Sequence, residues 1–292
     1  MRIFLYWGKE MRVFSRKKEI RMIFPQLSWI LLLASLALLA VGFYKFTYFF
    51  TVGHGLVTGG LGLSILIIAL VRGDVTLPLA LMCLLLLVYG FYQGGITAIL
   101  ELKKGQGRTL YRSKKEADTP LPVQLALWLL LGVAYLLPIM PLWYREATGP
   151  KEAPAAAWIG LALMLGGLAL ELIAARQANQ QRQEDPLHPP MYGLFGVVRC
   201  PGQLGRIIFF LGILAGSAPL LKGFQRLISL LGYGAAVYFA FRSARRKEKI
   251  TEKRHGRLKS YQNYVAETPV ILPFIPLYSL DFFRREEEEE EL

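Results

Sequence analysis

Three arginines, one carboxylate and a Pro-Gly turn carry the chemistry open to this sequence. The stretch Val197-Val198-Arg199-Cys200-Pro201-Gly202-Gln203-Leu204-Gly205-Arg206 sets two guanidinium groups around a Cys-Pro-Gly entry into an apolar run. A helix starting there presents its free N–H groups and the positive end of its dipole at that first turn, which favours an anion. Upstream, LELIAARQANQQRQ (170–183) closes another apolar run and continues into polar sequence. At helical spacing Glu171, Ala175, Ala178 and Arg182 share one stripe, with two alanines leaving room between a carboxylate and a guanidinium. Arg182, Arg199 and Arg206 would then converge on a phosphate cradle. The same residues also read as the ordinary flank of a spanning helix, with Glu171 bonded internally at its end.

Other chemistries have less to stand on. There is no Walker A motif, no G-x-G-x-x-G after a strand, and no H-E-x-x-H or C-x-x-C pair. His54, His188 and His255 are scattered, so no metal site is expected. Cys83 and Cys200 are the only cysteines, and Cys83 falls in the middle of an apolar run, so no disulfide framework is expected. Cys200 beside Arg199 is either a thiol with a lowered pKa or a buried, inert one.

The elements that must position these groups are membrane helices. The chain has 292 residues, 54% of them hydrophobic, too apolar for an ordinary soluble domain. A spanning helix needs about 20 mostly apolar residues, because the bilayer interior leaves no backbone group to water. Such windows occur at 26–50, 54–72, 77–100, 121–143, 155–175, 205–221 and 224–241, which predicts an all-α polytopic protein of about seven spans. Glycines four apart within spans, Gly55/Gly59, Gly90/Gly94 and Gly212/Gly216, read as close helix crossings.

The net charge of +13 reflects basic clusters in loops that flank spans, which is the positive-inside pattern and an affinity for anionic headgroups rather than for nucleic acid. Counted over seven spans, it predicts a cytoplasmic C-terminus. Residues 1–24, with seven basic residues against Glu10 and Glu19, oppose that count. A start at Met22 would remove the conflict; alternatively the first span does not cross and residues 1–24 lie on the cytoplasmic surface. The expected organisation is a basic segment over 1–24, N-terminal transmembrane helices over 25–150, a C-terminal membrane domain with a cofactor-binding corner over 151–280, and an acidic tail over 281–292. No feature specifies an oligomeric state.

Several short motifs follow one another over about 110 residues: Glu171 with Gln177, Gly193-Leu194-Phe195, Arg199-Cys200-Pro201 with Gly205, Arg245-Arg246 with Glu248, Tyr261 with Tyr264, and Leu272-Pro273-Phe274-Ile275-Pro276. In that order they resemble the C-terminal domain of the steroid 5-alpha-reductase-like membrane proteins, which include an uncharacterised bacterial branch and are related to isoprenylcysteine carboxyl methyltransferases. The resemblance implies NADPH clasped between the last spans and the cytoplasmic tail, and hydride transfer to a conjugated double bond of a lipid-soluble small molecule entering from the bilayer. It implies Tyr89 and Glu171 as catalytic residues. It implies Gln177, Arg182, Gly193, Leu194, Arg199, Cys200, Pro201, Gly205, Arg206, Arg246, Glu248 and Tyr261 around the cofactor, and the bacterial inner membrane as location. S-adenosylmethionine with methyl transfer is the alternative cofactor and reaction; a member of the fold without catalysis is the third reading. The chain departs from the family pattern at Gly202, Gln203 and Arg206, where Asn, Tyr and Glu are usual, and at Ala175, where Asp is usual.

Overall fold

The computed structural model describes residues 28–73, 75–95, 120–148 and 153–273, and among these every regular element is helical. The helices are α1 (Ser28–Leu39), α2 (Val52–Arg72), α3 (Leu77–Gly90), α4 (Leu121–Leu136), α5 (Met140–Thr148), α6 (Pro154–Glu184), the single turn α7 (Leu194–Val197), α8 (Pro201–Ser217), α9 (Phe224–His255) and α10 (Lys259–Glu267). Six helical stretches are long and apolar enough to cross a bilayer: Phe46–Arg72, Leu77–Gly95, Leu121–Thr148, Pro154–Glu184, Pro201–Leu220 and Phe224–His255. The chain is therefore an all-α polytopic membrane protein.

The predicted first span, 26–50, takes a different form. α1 and its 3₁₀ extension Ala40–Phe43 end before Tyr44, and Lys45 is extended. A second 3₁₀ turn, Phe46–Phe49, then leads into α2. The reason is local. Lys45 interrupts an apolar run within a cluster of aromatics, and Phe43, Phe46 and Phe49 pack edge to face while the Lys45 ammonium sits 5.4 Å from the Tyr48 ring centre. A cation among aromatic side chains suits a membrane–water boundary better than mid-bilayer. The basic segment 1–24, the acidic tail 281–292, and Phe274 to Pro276 of the last motif lie outside the described residues.

The described chain divides into two compact units, one running to Leu161 and including Ile213–Tyr233, the other comprising Ala162–Gly212 and the chain from Gly234 onward. The first unit is built on the crossing of α2 and α3. A Cβ on Gly90 would fall on the backbone of Gly55 and Gly59, so the two helices touch main chain to main chain. Small residues at that spacing give the close approach that replaces a hydrophobic driving force in lipid. At the end of α5, Trp143, Tyr144, Arg145 and Glu146 are buried. Glu146 takes two hydrogen bonds from Arg72 Nη1, at 3.0 and 3.1 Å, and Trp143 Nε1 donates to Ser28 Oγ at 2.8 Å. Arg145 donates to the Gly216 carbonyl at 2.7 Å and the Ala153 carbonyl at 3.3 Å. These charges are held by fixed protein partners, the condition under which a buried ion is tolerated.

Candidate functional site

The second unit holds the residues of the C-terminal motifs. Its geometry begins with two glycines. Gly167 on α6 and Gly205 on α8 meet at backbone distance; a Cβ on Gly205 would lie 2.6 Å from the Gly167 carbonyl and 2.9 Å from the Glu171 nitrogen. The crossing delivers Glu171 to the first turns of α8. Its Oε1 lies 3.4 Å from Arg206 Nη2, with both side chains largely buried. The carboxylate of the predicted stripe thus turns to Arg206 across the crossing.

Two glutamines fold the loop before α8. Gln181 Oε1 accepts the N–H groups of Met191 and Tyr192 at 2.9 and 3.1 Å, and its Nε2 donates to the Tyr192 carbonyl at 2.9 Å. One helical turn earlier, Gln177 Oε1 accepts the Leu194 N–H at 3.0 Å. Gly193 adopts φ 70°, which favours glycine, and a Cβ there would lie 2.8 Å from Gln177 Oε1, so a side chain would also displace the amide that holds the loop. Gln177, Gly193 and Leu194, expected around a cofactor, have the work of fixing this loop.

The C-terminal segment closes the corner. The Arg199 and Cys200 N–H groups donate to the Pro269 and Val270 carbonyls at 2.9 and 2.8 Å. Tyr264 Oη donates to the Phe195 carbonyl at 2.7 Å. Arg199 Nη1 meets Glu248 Oε1 of α9 at 2.9 Å, again with both side chains mostly buried. Lys247 is close enough to Cys200, Arg206, Glu171 and Arg182 to interact electrostatically with each. Burial pushes the Cys200 thiol up to about 12, the Glu248 charge adding to it and the Lys247 and Arg199 charges opposing it. Of the two sequence readings of Cys200, the inert thiol is the one this environment produces. Burial likewise pushes the Tyr261 phenol up to about 12.

Glu171, Arg199, Cys200, Pro201, Gly205, Arg206, Glu248 and Tyr261 all belong to this unit, with Arg182 and Arg246 exposed on α6 and α9. Tyr89 belongs to the other unit, fully buried on α3, its hydroxyl accepting from Gln93 Nε2 at 3.3 Å. The expected cradle of three converging arginines is realised as two ion pairs, Arg199–Glu248 and Arg206–Glu171, because a mostly buried guanidinium needs a counter-charge. Lys247 interacts electrostatically with Glu171, Arg206 and Arg182, and Lys247 and Arg182 add positive charge from exposed positions on α9 and α6. Lys247 was missed because it sits anonymously in a basic run, and its only signal was its place beside Glu248 of the Arg-Arg-x-Glu motif. Gln203, on the first turn of α8 and only 1% exposed, was seen as a departure from a pattern rather than as a buried amide.

An all-α membrane protein whose last helices hold two mostly buried ion pairs with exposed cations nearby is the class that fold and site define. A family model described as "Protein of unknown function (DUF1295)" matches residues 56–268. The chain belongs to this family, which is steroid 5-alpha-reductase-like. No curated protein and no solved structure matches it.

Proposed function

We propose that the protein is a membrane-embedded reductase that uses NADPH to reduce a conjugated double bond of a lipid-soluble substrate. The observation that carries this reading is the excess of positive charge in the corner of the second unit. Two ion pairs account for Arg199 and Arg206, and Lys247 and Arg182, both exposed, add two further cations within electrostatic reach. Concentrated cationic charge of this kind suits a polyanion with several phosphates. S-adenosylmethionine, with a sulfonium and an ammonium against one carboxylate, gains nothing from it, which ranks methyl transfer second.

Arg182, Arg199, Arg206 and Lys247 would hold the nucleotide phosphates, and the fixed loop at Gln177 and Gln181 would keep the corner's shape without needing the ligand. When bound, the nucleotide supplies the hydride. Tyr89, whose oxygen accepts the Gln93 amide at 3.3 Å, would polarise the carbonyl of the acceptor. Arg199 and Arg206 would keep their carboxylate partners in the empty protein, limiting the repulsion that a bare cationic corner would store. The basic loops favour an orientation in which the corner would face the cytoplasm from a bacterial inner membrane, where the nucleotide is available.

The test is the unfolding temperature of the detergent-solubilised full chain with each nucleotide in turn. NADPH at a hundredfold excess over Kd should stabilise the protein by about 2.7 kcal/mol, and S-adenosylmethionine should not. Stabilisation by S-adenosylmethionine alone would move the protein to the methyltransferases, and stabilisation by neither would make it a member of the fold without catalysis.

A further inference from the structure

Gln203 lies on the first turn of α8, a position from which a long side chain can reach the ligand corner or turn inward. It is 1% exposed, and its Oε1 is sealed with no hydrogen-bond partner. Its backbone N–H is accounted for by the Cys200 carbonyl at 3.0 Å. Among the described residues the other neutral side-chain oxygens sealed without a partner are the hydroxyls of Thr47, Tyr144, Ser217 and Ser229. A hydroxyl is small and costs comparatively little; a carboxamide is larger and brings a strong acceptor. A methionine would fill the same space with no polar atom to satisfy. Nothing in the folding of α8 therefore calls for an amide at this position.

Its surroundings do. Gln203 precedes Arg206 by one helical turn, so the two occupy neighbouring positions on the helix surface. It follows Cys200 and Arg199, whose backbone is pinned to Pro269 and Val270. Gln203 therefore lies in the first turn of α8, one turn before Arg206 and four residues after Arg199, the two arginines of the ion pairs, at the helix end whose dipole favours anions. Guanidinium and ammonium groups serve the phosphates of a nucleotide but are poor partners for its neutral donors. Rotation about the last side-chain bond exchanges the amide's oxygen and nitrogen, so either can be turned to a ligand.

We infer that Gln203 is a ligand-contacting, specificity-determining residue whose side-chain oxygen accepts a hydrogen bond from a neutral N–H or O–H donor of the nucleotide, a carboxamide or a ribose hydroxyl. This rests on the nucleotide reading of the corner. Its distinctive consequence is a split between stability and binding. An amide kept for a ligand is a burden to the empty protein, so replacing it should help folding and harm binding.

The experiment compares wild-type protein with Gln203→Met and Gln203→Asn, each as the full chain in detergent, by unfolding temperature and by direct NADPH titration. Gln203→Met should unfold at the same or a higher temperature than wild type without ligand and bind NADPH about tenfold more weakly. Gln203→Asn, which keeps the amide but withdraws it by one methylene, should bind with an intermediate loss and serves if the methionine variant fails to fold. Titration with 2′,5′-ADP, which lacks the nicotinamide riboside, locates the donor. An undiminished loss with it puts the donor on the adenosine half, and no loss puts it on the nicotinamide half. Wild-type affinity in both variants would overturn the inference while leaving the nucleotide reading intact. No NADPH binding by wild type would overturn both.

Discussion

The two units handle buried polarity in opposite ways. In the first, Arg72, Arg145 and Glu146 are bonded to one another or to fixed carbonyls, and the sealed atoms left over include small hydroxyls. In the second, two mostly buried ion pairs have exposed cations nearby and an amide oxygen is sealed without a partner. A low-dielectric interior makes an unpartnered amide oxygen costly, whereas the two surplus cations, Arg182 and Lys247, are exposed to solvent. Among the described residues, the first unit leaves only hydroxyl oxygens among its neutral groups sealed without a partner; the second leaves a carboxamide oxygen, beside two mostly buried ion pairs and exposed cations, and that is where a ligand is expected.

The comparison breaks first if the close crossings are not structural in both units. Gly90 meets the backbone of Gly55 and Gly59, and Gly167 meets the backbone of Gly205 and Phe209. Backbone cannot step aside as a side-chain tip can, so an added methyl must push the helices apart. Gly90→Ala and Gly167→Ala should each cost about 3 kcal/mol, read as loss of the unfolding midpoint in detergent. Gly166→Ala, with nothing within 4 Å of the new methyl, is the internal standard and should show no loss. Equal behaviour of all three would mean that the crossings are looser than the backbone distances imply.

How much of this was legible in the sequence follows from what each signal depends on. The apolar runs were legible because the bilayer imposes length and composition on a span regardless of its neighbours. Gly90 and Gly94 were readable as a crossing for the same reason: small residues at a four-residue spacing have one common use in lipid. The pairing of Glu171 was not. On α6 alone it shares a stripe with Arg182, and only the α6–α8 crossing at Gly167 and Gly205 turns it to Arg206. Likewise nothing local says that Gln177 bonds the Leu194 N–H, because the partner is 17 residues away and set by the loop's path. The break at Lys45 was visible as a charge inside an apolar window, but its weight against the surrounding aromatics was a matter of packing.

A sharper form of the comparison removes ion pairs whole. Arg206→Met should destabilise the second unit by about 2 kcal/mol, because it strands a mostly buried Glu171, and Arg206→Met with Glu171→Gln should recover most of that. Arg72→Met and its combination with Glu146→Gln should behave in the same way in the first unit, where the carboxylate is fully buried. The units should part on binding. The double variant at Arg206 should keep a nucleotide affinity weakened by roughly tenfold or more, since a charge-assisted bond to phosphate is gone even though folding is repaired. The double variant at Arg72 should bind as wild type. A nucleotide affinity rescued together with stability at Arg206 would make that pair as purely architectural as the Arg72–Glu146 pair.

The smallest effect concerns Cys200, which lies amid the cations yet does not share their surplus. Neighbouring Arg199 and Lys247 pull its pKa down, but burial, with Glu248, outweighs them and pushes it up to about 12 from the ordinary 9.0. A raised thiol pKa means that the native fold favours the protonated form. The stability contributed by this group is therefore complete below pH 9 and is lost as pH rises through about 12. Between pH 7 and 9 native Cys200 should resist maleimide, with labelling appearing on unfolding, and Cys200→Ala should bind NADPH as wild type at a stability cost of about 1 kcal/mol. Rapid labelling at pH 7 that NADPH suppresses would place the thiol on the open side of the corner. Its sulfur would then belong with the ligand-facing groups of the second unit instead of with its packing.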